Sequence, residues 1–220
     1  MKRIVLFLLT LCLAFTGASA MAQTNVAALK GPTAMGMVQM MQAGEYNFTI
    51  SAAIDEITPK LVKGEVDIAA VPANLASVLY NNTQGQVKVL AINTLGVLYI
   101  VENGSTVASV QDLRGRTIFA SGKGATPEYA LNYILRGNGL NPEKDVTIEW
   151  KSEHSECLAA LVSTPGSVAM LPQPFVTTAQ MKQEGVQIVL DMNQEWERLT
   201  DSSRLITGVV VARAEYISQH

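Results

Sequence analysis

The chain has 220 residues, 48% of them hydrophobic and 16% charged, with a formal net charge of −3. That is enough chain to bury a core in one or two domains, and it is far too apolar for a disordered segment. The acidic balance argues against non-specific nucleic-acid binding, and two Cys with two His leave too little material for zinc modules or a disulfide framework.

Lys2 and Arg3 precede an apolar run, residues 4–15, broken only by Thr10. Gly17, Ala18, Ser19 and Ala20 follow, so Ala18-Ser19-Ala20 or Ala20-Met21-Ala22 supplies a small-residue cleavage signal. The pattern predicts a cleaved secretory signal peptide over residues 1–22 and a periplasmic or secreted protein. The apolar run is shorter than the roughly 20 residues needed to span a bilayer. Cys12 follows Leu11 rather than a small residue, which argues against lipidation. Cleavage removes two positive charges and no negative ones, moving the net charge to about −5, and leaves Cys157 as the one cysteine.

From residue 25 short apolar runs alternate with amphipathic stretches. Residues 25–29 read as a strand. A helix opens at Gly31-Pro32-Thr33, runs to Met41 and is closed by Gly44. Residues 48–52 (strand), 57–63 (helix), 67–72 (strand), 74–80 (helix) and 87–93 (strand) complete a β-α-β-α-β-α-β series, the pattern of a mostly parallel, helix-covered sheet. Residues 97–101 form a strand ending in a polar turn at 102–105. A helical turn at 110–113 and a strand at 117–120 open a second series. Helices at 126–136, 156–162 and 175–183 then alternate with strands at 146–151, 168–171 and 187–191. A polar helical turn covers 194–199, and the β-branched run 206–213 is the last strand.

These two series predict two α/β lobes: lobe I over 23–96, a hinge strand at 97–101, lobe II over 102–203, and a return strand within 204–220. Two lobes joined by strands enclose a cleft. In open α/β sheets ligands sit at the carboxyl ends of strands, against helix N-termini. Closure is expected about residues 94–101 and 203–211.

Several motifs carry candidate chemistry. Gly122-Lys123-Gly124-Ala125-Thr126 is not a phosphate loop: Thr117 stands where a Walker motif needs its first glycine, and Gly124 where it needs Ser or Thr. It reads instead as a loop presenting backbone N–H groups and the Thr126 hydroxyl at a helix start, with capping and ligand binding both open. His154 and Cys157, beside Glu153 and Glu156, lack the further ligands of a metal site and the orienting group of a nucleophile. Cys157 opens an apolar run and reads as a buried thiol, whereas His154 stands at a strand's carboxyl end. Met35, Met37, Met40 and Met41 read as a core face, and Asp55 as a helix cap. Predicted ligand-binding positions are Thr33 and Asn74 in lobe I and Gly124, Thr126, His154 and Gln173 in lobe II. The competing reading of Thr33, Asn74 and Thr126 is helix capping, whereas Gln173, between Pro172 and Pro174, looks a poor cap. No catalytic residues, metal or cofactor are expected.

Four stretches carry a family likeness: Ala28-Leu29-Lys30-Gly31-Pro32-Thr33, Gly64-Glu65-Val66-Asp67-Ile68-Ala69-Ala70-Val71-Pro72, Val110-Gln111-Asp112-Leu113-Arg114-Gly115-Arg116-Thr117-Ile118 and Ala169-Met170-Leu171-Pro172-Gln173-Pro174. In these the chain resembles the solute-binding proteins of ABC importers, in the SsuA/NMT-like branch that handles nitrate, sulfonate, taurine and thiamine-precursor ligands. The resemblance implies a type II periplasmic-binding-protein fold. It also implies a monomer that captures a small anionic or heterocyclic molecule between its lobes and passes it to an ABC permease in the inner membrane. The alternative is an enzyme of the same fold acting on a pyrimidine precursor, although the cysteine- and histidine-rich motif of those enzymes is not matched. Such proteins usually continue with helices beyond the return strand, so a chain ending at Ser218-Gln219-His220 is expected to be a fragment or a truncated product.

Overall fold

The computed structural model describes residues 23–201 and 203–220; the expected signal peptide lies outside the described residues. The first lobe runs β1 (Asn25–Leu29), α1 (Pro32–Met35), α2 (Val38–Ala43), β2 (Asn47–Ser51), α3 (Thr58–Lys63), β3 (Ile68–Pro72), α4 (Ala73–Asn82) and β4 (Val87–Leu95). The second runs β5 (Leu98–Asn103), β6 (Thr117–Ser121), α5 (Thr126–Gly137), β7 (Thr147–Lys151), α6 (His154–Ser163), β8 (Val168–Pro172), α7 (Phe175–Lys182), β9 (Val186–Asp191) and α8 (Met192–Leu199). The chain then returns to the first lobe as β10 (Ile206–Arg213) and α9 (Ala214–Gln219). Short 3-10 turns lie at Ile54–Glu56 and Val110–Leu113.

Each lobe is built on a five-stranded sheet, ordered β2-β1-β3-β10-β4 and β7-β6-β8-β5-β9. β1 pairs in parallel with β2 and β3, and β6 with β7 and β8. In each sheet the strand that follows a crossing lies antiparallel between two others: β10 between β3 and β4, and β5 between β8 and β9. β3 and β8 are buried at all five positions, as expected of central strands covered on both faces. The second lobe's larger core gathers Ile118, Leu131, Leu135 and Met170 between β-sheet and α5.

Five features depart from the sequence reading. The helix expected through Met41 is broken at Gly36 and Met37, because the chain there presses against β4: a Cβ on Gly36 would lie 3.3 Å from the Asn93 carbonyl oxygen. Met37 turns into the core, whereas Met35 is exposed, so the methionines do not form one core face. Residues 97–101, expected as a hinge, belong from Leu98 onward to an inner strand of the second sheet. The short α9 was not anticipated.

The polar turn expected at 102–105 is the largest departure. Glu102 and Asn103 end β5, and Glu102 is fully buried. Burial opposes ionisation of its carboxyl group, but hydrogen bonds outweigh that cost and hold its pKa below the ordinary carboxylate value. The donors are the Thr106 N–H (2.8 Å) and hydroxyl (2.6 Å), the Val107 N–H (3.0 Å) and the Arg116 guanidinium (3.0 Å). Arg116 also donates to the Gly166 carbonyl, at 2.6 Å, tying the β5–β6 connection to the loop before β8.

A depressed carboxylate pKa stabilises the fold above the ordinary carboxylate range, and this contribution is lost as pH falls through the lowered value. Glu102→Gln is expected to cost about 3 kcal/mol at neutral pH, because Arg116 loses its charge partner. It is also expected to flatten the loss of stability below pH 4.5, the ordinary carboxyl value. Urea unfolding of both forms from pH 7 to pH 3 checks both effects.

Candidate ligand-binding site

Strand direction places the site. The carboxyl ends of the parallel strands and the amino ends of β5 and β10 meet along one line between the lobes, where open α/β sheets bind ligands. A cavity of about 100 Å³ lies there. Leu29, Pro72, Thr94 and Thr207 wall it from the first lobe, and Leu98, His154 and Pro172 from the second. Its volume matches about three water molecules, or one small oxyanion, at roughly 30 Å³ per water.

Lys30 is the one residue of this lining with a permanent charge, and no carboxylate lines the cavity. It follows β1 directly, and its backbone N–H donates to the Ser51 carbonyl at 2.9 Å, which fixes where the side chain leaves the sheet. Sequence reasoning passed over Lys30, although it stands between a strand and the Gly31-Pro32 helix start. Thr94 and Thr207 were also missed, since each lies in a strand that gave no loop signal. Asp55 and Glu56 are exposed, line no part of the cavity and cap no helix.

Of the predicted positions, Thr33 and His154 line the cavity. Thr33 is buried and donates its hydroxyl to the Leu29 carbonyl at 3.0 Å, inside α1 rather than at its cap. It reaches that place because Gly208 of β10 carries no side chain: a Cβ there would come within 2.9 Å of the Thr33 methyl group and 2.8 Å of the Thr94 hydroxyl.

His154 opens α6, and its Nδ1 shares a hydrogen bond of 2.6 Å with the hydroxyl of buried Ser121. Its ring lies 5.3 Å from that of Phe175. Desolvation pushes its pKa down to about 4, so the imidazole is neutral at physiological pH, with one donor and one acceptor nitrogen. With Nδ1 taken, Nε2 is the atom left for a ligand. Cys157, one turn on, is buried, and desolvation pushes its thiol up to about 11, the opposite of an activated nucleophile.

Asn74, Thr126 and Gly124 come together in a different way: they bond to one another across the lobes. The Asn74 backbone N–H donates to the Thr126 hydroxyl (3.2 Å), and that hydroxyl donates to the Asn74 side-chain oxygen (3.0 Å). The Asn74 side-chain amide donates to the Gly124 carbonyl (3.1 Å). Neither side chain caps its own helix. The three residues form a clasp between the lobes, and none of them lines the cavity.

Gln173 lies outside the cavity lining, and the expectation that it is a poor cap does not hold. Its side-chain oxygen accepts from the Thr177 N–H (3.3 Å) and hydroxyl (2.9 Å), which caps the first turn of α7. The backbone passes between lobes at Gly96 and Val97, both in the left-handed region (φ +62° and +69°). For a β-branched residue such as Val97 that is a strained conformation, of order 1–3 kcal/mol, and Val97 borders the cavity.

A family model described as ABC transporter, phosphonate, periplasmic substrate-binding protein matches residues 36–217. No curated protein matches the chain. Among solved structures, an ABC transporter from Parabacteroides distasonis superposes with a TM-score of 0.69 at 21% identity, over 89% of this chain and 69% of that one. The periplasmic aliphatic sulphonate binding protein SsuA from Escherichia coli gives 0.67 at 16% identity, over 89% and 66%. The ligand-binding component of an ABC-type import system from Staphylococcus aureus, with zinc bound, gives 0.68 at 14%, over 90% and 68%. At these identities the likeness is one of fold. Among the described residues no group of three or more His, Cys, Asp or Glu is placed to hold a metal ion.

Two outcomes follow. Gln173→Ala is expected to lower stability by about 1 kcal/mol, the usual worth of a helix cap, and calorimetric melting measures it. A histidine whose folded pKa lies below its unfolded value of 6.5 stabilises the fold above pH 6.5, and that contribution is lost as pH falls towards 4. Proton NMR should show His154 titrating near pH 4, and His154→Phe should remove the decline in stability between pH 6.5 and 5.

Proposed function

Because the chain belongs to the family of periplasmic substrate-binding proteins of phosphonate ABC transporters, we propose that it captures a small anion between its two lobes, outside the cytoplasm, and delivers it to a membrane permease. The observation that carries this reading is the charge of the interlobe cavity: Lys30 lines it and no carboxylate does. A cation there would meet an uncompensated like charge, whereas an oxyanion gains a charge-assisted hydrogen bond in a partly desolvated site. The neutral His154 ring adds one orienting polar atom, whereas the Thr94 hydroxyl donates to the Asn93 side chain and that of Thr207 to the Gly96 carbonyl, so both shape the wall rather than donate to an anion.

Capture rather than turnover is the proposed activity. The Ser121–His154 pair has no carboxylate within hydrogen-bonding reach of the ring among the described residues, and the buried Cys157 thiol is held protonated. Export through a leader at residues 1–22 and closure of the lobes about residues 94–101 and 203–211 belong to the same proposal. Among the described residues the chain passes from one sheet to the other between β4 and β5 and again between α8 and β10, and the strain at Val97 marks a point where a small dihedral change would move one lobe against the other.

Isothermal titration calorimetry with methylphosphonate, methanesulfonate, nitrate and choline tests the reading. At least one anion should bind and choline should not. Lys30→Met should weaken the anion at least tenfold with little change in melting temperature. Binding of choline with none of the anions would contradict the proposal.

A further inference from the structure

Behind the small cavity lies a buried polar contact that does not line it. Ser121, the last residue of β6, is 2% exposed, and neither it nor Cys157 belongs to the cavity wall. The Ser121 hydroxyl lies 2.6 Å from Nδ1 of His154, the first residue of α6, and the Cys157 thiol one turn on is hydrogen-bonded to the same hydroxyl. The hydroxyl carries one proton and the neutral imidazole carries one. Which of the two groups donates across this contact decides what His154 shows to the cavity.

We infer that Ser121 is a positioning residue: its hydroxyl donates to Nδ1, so the imidazole proton sits on Nε2 and His154 offers the cavity a donor rather than a lone pair. The separation of 2.6 Å lies within the range of O–H donors and short of N–H···O bonds, which begin at about 2.7 Å. The opposite arrangement is also poorly satisfied. If Nδ1–H donated to Ser121, the buried hydroxyl proton would be left with the thiol of Cys157, a weak acceptor. In the arrangement inferred, the protonated thiol gives its own proton to Ser121 Oγ, and Cys157 S–H, Ser121 O–H and His154 Nε2–H form one chain of donors that ends at the cavity. The Phe175 ring, 5.3 Å from the imidazole, packs against it and steadies its plane. The tautomer stands on this geometry alone. Its use rests on the proposed anion site: Nε2–H meets a ligand oxygen that carries no proton, where a lone pair would repel it.

Long-range nitrogen–proton NMR on the histidine-labelled protein at neutral pH tests the tautomer, with His220→Gln assigning the other ring. With no ligand added, Nδ1 of His154 should read as an unprotonated nitrogen and Nε2 as a protonated one. Ser121→Thr keeps a hydroxyl and should keep that signature, whereas Ser121→Ala should replace it by the average of two exchanging tautomers. Calorimetric titration of methylphosphonate, methanesulfonate and nitrate supplies the second readout. For whichever anion binds the unsubstituted protein most tightly, Ser121→Ala should weaken binding about tenfold, the loss of one charge-assisted hydrogen bond, and Ser121→Thr should stay within about twofold. A protonated Nδ1 in the unsubstituted protein would overturn the inference, whether or not the alanine variant folds. Unchanged affinity in a folded Ser121→Ala variant would overturn the positioning role. Binding of none of the three anions would overturn the anion reading and with it the use of the donor, while the nitrogen signals still decide the tautomer.

Discussion

Each lobe's sheet is completed by a strand that has just arrived from the other lobe. β5 is inserted antiparallel between β8 and β9, and β10 between β3 and β4. Because these inserted strands run against their neighbours, their amino ends meet the carboxyl ends of the parallel strands, and all of those ends face the junction between lobes. The junction therefore collects the loops, the free N–H groups of the helices that begin there, and the two crossings of the chain. The small cavity and the clasp both lie at this junction.

Charge and burial then divide the labour. Buried Glu102 is fully bonded within one lobe and holds the start of β6 to the loop before β8, a structural use of a charge at the end of β5 away from the junction. At the junction the balance is different. Lys30 meets no carboxylate in the lining of the small cavity, His154 is kept neutral by desolvation, and Asn74 and Thr126 satisfy one another rather than their helices. Three hydrogen bonds, each worth about 1 kcal/mol net, join the two lobes there. Val97, strained beside the cavity, joins the crossing to the site itself, so a movement of one lobe reaches the cavity wall directly.

Much of the fold was legible because hydrophobic periodicity and glycine punctuation are local signals. The strands at Asn25–Leu29 and Ile206–Arg213 and the helix opening at Thr126 could be read from such signals alone. What could not be read depends on partners distant in the chain. Glu102 and Asn103 look like turn residues until Arg116 and the loop at Thr106 are placed beside them. The break at Gly36 depends on Asn93, nearly 60 residues away. The site shows the same division. Strand-end logic placed Thr33 and His154 at the junction, where both line the small cavity, but it could not show that Asn74 and Thr126 face each other, that Gln173 turns back onto α7, or that Lys30 lines the same cavity. A lysine after a strand carries no signal of its own, and only the shape of the junction sets it beside the cavity.

The most direct measurement of a cleft that closes on its ligand is the distance between the lobes. Val62 on α3 and Met181 on α7 are exposed, one on each lobe, and Cys157 is buried, so a Val62→Cys, Met181→Cys double variant can be spin-labelled selectively. A closing cleft predicts a pulsed electron–electron resonance distribution that narrows to one distance when an anion that binds in the calorimetric titration is added, and that broadens to longer distances when Thr126→Val removes the clasp. A distribution unchanged by both the anion and the loss of the Thr126 hydroxyl would contradict it.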